Sequence, residues 1–347
     1  MADADPVPVV RPGGPDDDAA IAELLGVAAP QNPKADLDVL RWQYRREAFG
    51  PTVTALAEVD GQVIAHYSAV GIPVSVAGRP VRAAHGVDIA THPDHRGQGR
   101  FRAVAERLQH LAAAAGYELI VSNPNDDSAP TLGRLGWSTG PDPELLVVPV
   151  DGAALARRVG VPGPLGAAAR RVVPGSGRRP PVGTLEVAAP PADLDELWVR
   201  VGPTAAPGTV RDRAWWCWRY ADHPRAPYRI VEARRRGRLV GTMAVTVRDD
   251  EPRALLVLDL LAVDDAAVRE LTRAACALAR QHDAALLVAA ASAGTSSRAR
   301  LRSAGFLPVP RRLRPRPLHL AVLDLSGRAL VPTPDRWEFA LGDQDHL

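Results

Sequence analysis

The chain has 347 residues, 46% of them hydrophobic and 24% charged, so it is long enough for two ordinary domains with buried cores. Its formal charge of +2 is uneven, because residues 1–150 carry 12 basic and 19 acidic side chains (−7) and residues 151–347 carry 30 and 21 (+9). Two cysteines, Cys217 and Cys276, are too few for a disulfide framework or a cysteine metal site, and no apolar run approaches the roughly 20 residues that span a bilayer.

Composition also argues against several classes of protein. The first 14 residues are acidic and interrupted by prolines, which does not match a signal peptide. The basic second half has scattered arginines with few interleaved aromatics, so a solvated surface is a better interpretation than a nucleic-acid site. No spacing of His, Cys and carboxylate residues suggests a metal site. We therefore expect a cytoplasmic monomer or homodimer with no metal, no membrane segment and no nucleic-acid partner.

Strands and helices alternate along the first half. A helix is predicted over 16–28, with carboxylates in its first turn, where the helix dipole favours them. An apolar stripe from Phe101 to Ala115 predicts a second helix, which ends at Gly116. Apolar alternation and turn signals predict strands over 7–12, 52–59, 62–70, 73–78, 87–91 and 119–123. This order indicates an α/β fold.

The same order recurs in the second half. Strands are predicted over 184–190, 228–233 and 239–247, and a helix over 192–201. Five ordered matches connect the halves: Trp42 with Trp218, Tyr44 with Tyr220, Gly61 with Gly237, Asp88 with Asp259, and Gly136-Trp137 with Gly305-Phe306. They predict a duplication, with domains at 1–150 and 184–347 joined by a linker rich in Gly, Pro and Arg at 151–183. Because two of the matched pairs are aromatic, the cluster Trp215, Trp216, Trp218 and Tyr220 is interpreted as core packing rather than an aromatic cage.

The segment with the clearest chemistry is 85–116. A strand, a glycine-containing turn and a helix N-terminus follow one another there, an arrangement that binds phosphate because unpaired N–H groups and the helix dipole favour anions. Arg96 and Arg100 add positive charge. A Walker loop is excluded because it needs a Lys-Ser/Thr pair, and a dinucleotide fingerprint needs a third glycine.

The string HPDHRGQGRF within this segment resembles motif A of the GNAT acetyltransferases, Arg/Gln-x-x-Gly-x-Gly/Ala. Arg96, Gly97, Gln98 and Gly99 match its first four places, and Phe101 replaces its last small residue. This variant is similar to that of two-domain members encoded in polysaccharide and natural-product gene clusters.

A second segment, 117–137, resembles motif B of the same family. Asn125 takes the place of the motif's asparagine, Ser128 that of its small residue and Gly136-Trp137 that of Gly-Phe, whereas Leu132 stands where many members have a tyrosine acid. The resemblance implies two GNAT-type domains in tandem, each a mixed, mostly antiparallel sheet flanked by helices. It also implies that two strands separate to admit the pantetheine arm of the cofactor.

The activity implied by the resemblance is transfer of an acyl group, expected to be acetyl, from CoA to a primary amine of a small molecule such as an amino sugar or natural-product intermediate. The residues implied to hold the cofactor are Ile89, Ala90, Thr91, Arg96, Gly97, Gln98, Gly99, Arg100, Phe101 and Asn125. Two alternatives stay open: an aminoacyl transferase of the Fem type, and a non-catalytic acyl-CoA-binding protein. The basic second half favours the first alternative, whereas the RGQG turn opposes it.

Two residues are candidates for the general base. His85 lies eleven residues before Arg96, where many family members have a glutamate, and histidine titrates near neutrality. Asp88 lies on the same predicted strand, but Asp259 repeats it in the other half, which argues for a structural role. A chain of water molecules is the third possibility.

The second half lacks the phosphate turn. Where the glycines should stand, it has VDDAAVREL, with Asp264 and Asp265 in the place of hydrogen-bond donors, and Gly294 replaces the asparagine of motif B. We therefore expect a degenerate domain that shapes the cleft or the acceptor site. The tail from 335 to 347 is expected to fold back toward the cleft.

Overall fold

Alternating strands and helices build both halves of the chain. The computed structural model describes residues 7–151, 183–202, 206–225, 228–249, 252–314, 317–331 and 333–344, so the predicted linker lies outside the described residues except at its two ends. The first half contains β1 (Val9–Pro12), α1 (Asp18–Ala28), α2 (Leu37–Arg45), β2 (Val53–Val59), β3 (Gln62–Val76), β4 (Arg79–Thr91), α3 (Arg100–Ala114), β5 (Leu119–Ser122), α4 (Ala129–Arg134), β6 (Ser138–Thr139) and β7 (Glu144–Pro149). The second contains β8 (Thr184–Val187), α5 (Leu194–Val201), β9 (Gly208–Thr209), α6 (Arg213–Trp216), β10 (Arg229–Arg235), β11 (Arg238–Arg248), β12 (Ala254–Ala262), α7 (Asp265–Gln281), β13 (Leu286–Ala291), α8 (Ser296–Ser303), β14 (Leu307–Pro308) and β15 (Ala321–Asp324).

Two sheets have the same strand order. The first runs β1-β2-β3-β4-β5-β15-β6, with β9 paired to β3, and the second runs β8-β10-β11-β12-β13-β7-β14. The pairings are antiparallel except for β4 with β5 and β12 with β13, which are parallel. The prediction of an α/β fold with mostly antiparallel sheets flanked by helices is confirmed.

The halves exchange one strand each. β7 precedes the predicted linker but pairs with β13 and β14 in the second sheet, and β15 pairs with β5 and β6 in the first. Leu146 and Val148 of β7 are buried in the core of the second sheet, whereas Ala321 and Leu323 of β15 are buried in that of the first. Burying a large apolar side chain stabilises a fold by about 1.5–3 kcal/mol, so each core depends on the other half.

A further core connects the halves. Trp42 of α2 stacks on Trp218, with ring centroids 5.0 Å apart, and its indole N–H donates to the Trp218 carbonyl over 3.2 Å. Trp215 and Trp216 are buried beside them. The aromatic cluster is therefore packed, as the matched sequence pairs predict.

The strands predicted over 62–70 and 73–78 form one continuous strand, β3, which passes through Pro73. The proline carbonyl accepts a hydrogen bond from Val210 N–H, beside the short strand β9. Proline is tolerated here because it removes only a donor and leaves its carbonyl available. The interruption predicted between residues 70 and 73 is therefore absent.

Candidate active site

The central strands of the first sheet separate at one point. β4 and β5 are paired from Ala83–Leu119 to Gly86–Ser122, after which β4 continues to Thr91 while β5 ends. A Cβ at Gly86 would collide with the hydroxyl of Tyr67, which lies 3.4 Å from Ser122 Oγ. Glycine thus lets the tyrosine pack against β4 where the two strands diverge. The ladder thus ends before residues 89–91, where the resemblance implies that the pantetheine arm lies.

Just beyond this point, β4 contains a bulge. His66 pairs with Ala90 and Ser68 with Val87, so one residue of β3 faces Asp88 and Ile89 together. Asp88 has a φ of 59°, a left-handed conformation that strains a residue other than glycine. A bulge leaves one residue without its ladder partner, so the bulge can direct a backbone N–H toward the opening. Ile89 is half-buried and is the nearest candidate for that donor.

The strained Asp88 is held by several partners. Its carboxylate accepts hydrogen bonds from Lys34 Nζ at 2.9 Å and Tyr44 OH at 2.7 Å, with Asn32 Nδ2 at 3.4 Å. Its carbonyl lies 2.9 Å from His66 Nδ1. Burial lowers the pKa of His66 to about 4, so the ring is neutral and Nδ1–H is its donor to the carbonyl.

The second half repeats this arrangement. Asp259 is bound by Arg211, by Tyr220 OH at 2.5 Å and by the Trp215 indole N–H at 3.2 Å. A buried carboxylate with a cation and a tyrosine hydroxyl therefore occurs once per sheet, although only the first half has the phosphate turn. This repetition supports a structural role for Asp88 and leaves its carboxylate little capacity to accept a substrate proton.

The phosphate turn has the predicted form. Gly97 and Gly99 have φ values of 76° and 75°, and a Cβ added at either would have no atom within 4 Å. The backbone conformation therefore requires glycine, while the space beside the turn is open. Arg96 ties the turn to the rest of the sheet by donating to the carbonyls of Thr91 and Ala28, both at 3.3 Å.

The helix that follows presents its N-terminus to this space. α3 begins after Gly99, its first turn has no acidic residue, and in the described part of the chain no side chain caps its end. Helix N-termini carry unpaired N–H groups and a partial positive charge, which attract anions. Arg100 begins the helix, and Phe101 packs edge-on against Tyr67 with ring centroids 6.1 Å apart. Phe101 in the motif therefore contributes packing on the far side of the opening.

The side chain of His85 lies on the face of β4 opposite to the face at which Gly86 contacts Tyr67. Its Nε2 lies 3.1 Å from Asn123 Oδ1, and Asn123 Nδ2 donates to the carbonyl of His319 over 3.2 Å. Because the amide nitrogen is used by that carbonyl, Oδ1 is the atom that accepts from Nε2–H. In the neutral ring the lone pair is then on Nδ1.

Motif B forms a tight cap. Asn125 Oδ1 accepts hydrogen bonds from the backbone N–H of Ser128 at 2.9 Å and from its hydroxyl at 2.8 Å, which orders the loop before α4. Asn125 is exposed. Leu132 stands in the place of the family's tyrosine and is fully buried. Its side chain has no ionisable group, so it supplies no acid.

Residues 10–140 match a family model described as an acetyltransferase (GNAT) domain. The match includes the bulged strand, the phosphate turn and the capped loop. This region is similar to a GNAT acetyltransferase domain. Acyl transfer is the reaction of that family, and GNAT proteins generally take the acyl group from acetyl-CoA.

Solved structures share the fold over most of the chain. A conserved protein from Enterococcus faecalis V583, described as a probable N-acyltransferase, is 12% identical with a TM-score of 0.66, and the alignment covers 92% of this chain and 73% of that one. GCN5-related N-acetyltransferases from Anabaena variabilis and Kribbella flavida are 10% and 13% identical, with TM-scores of 0.63 and 0.58. They cover 91% and 92% of this chain, and 73% and 72% of their own. Comparison with curated protein sequences gave no match.

Outside the matched region, the equivalent helix of the second half has a closed N-terminus. α7 is capped by Asp264, whose carboxylate accepts from Ala267 N–H at 2.7 Å and pairs with Arg235 at 2.7 Å. A carboxylate thus lies where a pyrophosphate would have to bind, as the sequence predicts for a degenerate copy.

The tail also occupies this second cleft. Glu338 accepts hydrogen bonds from Ser296 Oγ at 2.9 Å and Ser297 Oγ at 2.5 Å, at the beginning of α8. With Phe339 it lines a cavity of about 80 Å³ beside the diverging ends of β12 and β13. Among the described residues, no group of three or more His, Cys, Asp or Glu side chains is placed to hold a metal, and none of the described helices has the length and apolarity to cross a membrane.

A histidine from the second half secures the motif B loop of the GNAT domain. His319 Nε2 lies 2.8 Å from Asp126 and Nδ1 2.8 Å from Asp142, which also pairs with Arg311 at 3.4 Å. Burial lowers the pKa of His319, but the hydrogen bonds to the two carboxylates outweigh it, so the pKa is raised.

This raised pKa predicts a pH-dependent stability. A raised folded-state pKa means that protonated His319 stabilises the fold fully below its unfolded pKa of about 6.5, and that this contribution is lost as pH rises through the folded pKa. We expect His319→Asn to be less stable than the wild type at about pH 6 and to approach it above about pH 8. Urea denaturation at several pH values measures the difference. A difference independent of pH would contradict the ion-pair explanation.

Proposed function

We propose that the chain is a two-domain N-acyltransferase that moves an acetyl or other short acyl group from acyl-CoA to a primary amine of a small molecule. The observation that carries this proposal is the contrast between two helix N-termini. That of α3 follows two left-handed glycines and has no acidic residue in its first turn, whereas that of α7 is closed by Asp264. One copy of the fold can therefore receive a pyrophosphate and the other cannot.

The residues of the first half fit acyl-CoA. Backbone amides between Arg96 and Phe101 would hold the pyrophosphate, with Arg96 and Arg100 adding charge, and Gln98 lies exposed in the turn. Ile89, Ala90 and Thr91 would line the pantetheine arm along the unpaired end of β4, and Asn125 orders the opposite wall. When bound, acyl-CoA supplies a thioester, whose carbonyl the N–H near Ile89 would polarise.

The two-domain proposal rests on equivalent places in the two sheets. Tyr44 and Tyr220 bind the equivalent aspartates, and Trp42 stacks on its counterpart Trp218. Gly61 and Gly237 have φ values of 80° and 78° at corresponding hairpins. We infer an internal duplication in which the second copy lost its cofactor and kept its packing.

We assign the general base to His85. The amine nitrogen bonds to the acyl carbon, the C–S bond breaks, CoA leaves as a thiolate, and the proton of the amine passes to the His85 ring. His85 and Ile89 lie on the same strand, on either side of Asp88, and the acceptor and a bridging water would lie between them.

Two substitutions separate the candidates for the base. Thiol release from acetyl-CoA with a library of amines identifies a usable acceptor. With that acceptor, His85→Ala is expected to lower kcat about 100-fold or more without changing the affinity for acetyl-CoA, because only proton transfer is lost. Asp88→Asn is expected to lower the free energy of unfolding by about 3–5 kcal/mol, because the buried carboxylate that binds Lys34 and Tyr44 is lost.

His110→Ala, on the exposed face of α3, is the matched histidine control and should retain activity. If Asp88→Asn folds as stably as the wild type but loses turnover, the assignment of the base is reversed. If the wild type does not bind acetyl-CoA in calorimetry, the proposed function is wrong.

A further inference from the structure

A small pocket lies at the junction of the two halves, on the face of β4 that carries His85. Its volume is about 20 Å³. The side chains of Trp42, Gln43, Trp215 and Trp218 line it with His85, and Gly342 of the tail closes it. The tail therefore folds back to the first half, as expected from the sequence.

One polar atom in this pocket has no partner. Gln43 is 5% exposed, and its Oε1 is buried and accepts no hydrogen bond from the described residues. A buried acceptor without a donor destabilises the fold, so nearly all such groups in native proteins are satisfied. An oxygen that faces a pocket can be satisfied by a donor on a ligand. An amine nitrogen is such a donor.

The pocket has charged as well as apolar residues in its lining. Indole rings and aliphatic side chains form much of the wall, and the buried guanidinium of Arg219 lies at its edge, bound to the carbonyls of Gly342 and Gln344. Asp343 also lines the pocket and pairs with Arg211 at 2.7 Å. A cation and a carboxylate therefore flank the pocket, and Gln43 Oε1 is the neutral acceptor that an amine N–H would contact.

We propose that this pocket binds the nitrogen of the acceptor, with Gln43 Oε1 accepting one amine N–H, and that the acceptor is an unhindered amine of the type R–CH₂–NH₂. This inference rests on the proposed function and specifies the acceptor for the same site. A volume of about 20 Å³ holds one group about the size of a water molecule, so a branch on the carbon next to nitrogen would meet the tryptophan walls.

Replacing the glutamine tests the hydrogen bond. Gln43→Leu is expected to raise the KM for the amine about tenfold, with the KM for acetyl-CoA unchanged, because the amine loses its acceptor. The melting temperature should stay the same or rise, since the variant removes an unsatisfied buried oxygen. Gln109→Leu is the matched control, because Gln109 lies on α3 and donates to the Leu135 carbonyl outside the pocket. An unchanged amine KM in Gln43→Leu overturns the proposal.

A pair of amines tests the class of substrate. Benzylamine and 1-phenylethylamine differ by one methyl group on the carbon next to nitrogen. We expect acetyl transfer to benzylamine with a kcat/KM at least about tenfold higher, measured by thiol release. Equal rates, or acetylation of neither amine by a protein that binds acetyl-CoA, overturn the assigned class. Absence of acetyl-CoA binding is a separate result, which refutes the proposed function instead.

Discussion

Gly97→Val is expected to weaken acetyl-CoA binding by at least about 100-fold, or about 2.7 kcal/mol. Two effects add. At a φ of 76° a residue with a Cβ is strained by about 1–2 kcal/mol, so the turn would change its conformation and its amides would turn away. The new side chain would also project into space that is open beside the turn, where the pyrophosphate is proposed to lie. Isothermal calorimetry with acetyl-CoA measures the change directly.

Gly237→Val is the matched control. Gly237 has a φ of 78° and, like Gly97, no atom within 4 Å of an added Cβ, but it lies in the hairpin between β10 and β11 of the second sheet. Both variants should lose similar thermal stability, and only Gly97→Val should lose affinity. Equal affinities in the two variants would mean that the turn does not hold the cofactor.

The phosphate turn could be predicted from the sequence because its parts are contiguous. A strand, two glycines and an apolar stripe specify a turn and a helix start, and the helix predicted to end at Gly116 is observed as Arg100–Ala114. The acidic cap at the N-terminus of α7 was predictable for the same reason, since Asp264 directly precedes the helix. Local sequence thus specifies both helix starts, and with them the copy that we propose to bind an anion.

The partners of these local features were not predictable. Lys34, which pairs with Asp88, is 54 residues away in the chain, and His319, whose carbonyl orients Asn123, comes from the other half. The alternation of apolar residues along a strand predicts which of its faces is buried, but it does not predict which strand lies next to it in the sheet. One signal was present for Lys34: it is the only lysine among 42 basic residues, although composition alone does not show that it is buried.

The exchange of strands predicts that neither half works alone. A fragment of residues 1–151 lacks β15, so β5 and β6 would lose the strand between them and the core would lose the burial of Ala321, Val322 and Leu323. Typical domains are stable by only 5–15 kcal/mol, and burial of a large apolar residue contributes about 1.5–3 kcal/mol. We expect the fragment to show no cooperative unfolding in circular dichroism and no binding of acetyl-CoA.

Co-expression with a fragment of residues 183–347 is the matched control. The two fragments together contain every described strand, so each sheet can receive its missing member, and we expect them to co-purify as a pair that binds acetyl-CoA. Restored binding in the pair separates the loss of β15 from damage caused by cutting the chain. If residues 1–151 alone bound acetyl-CoA with the affinity of the whole chain, β15 would not be needed to shape the opening beside β5, and the dependence of the first site on the second half would be disproved.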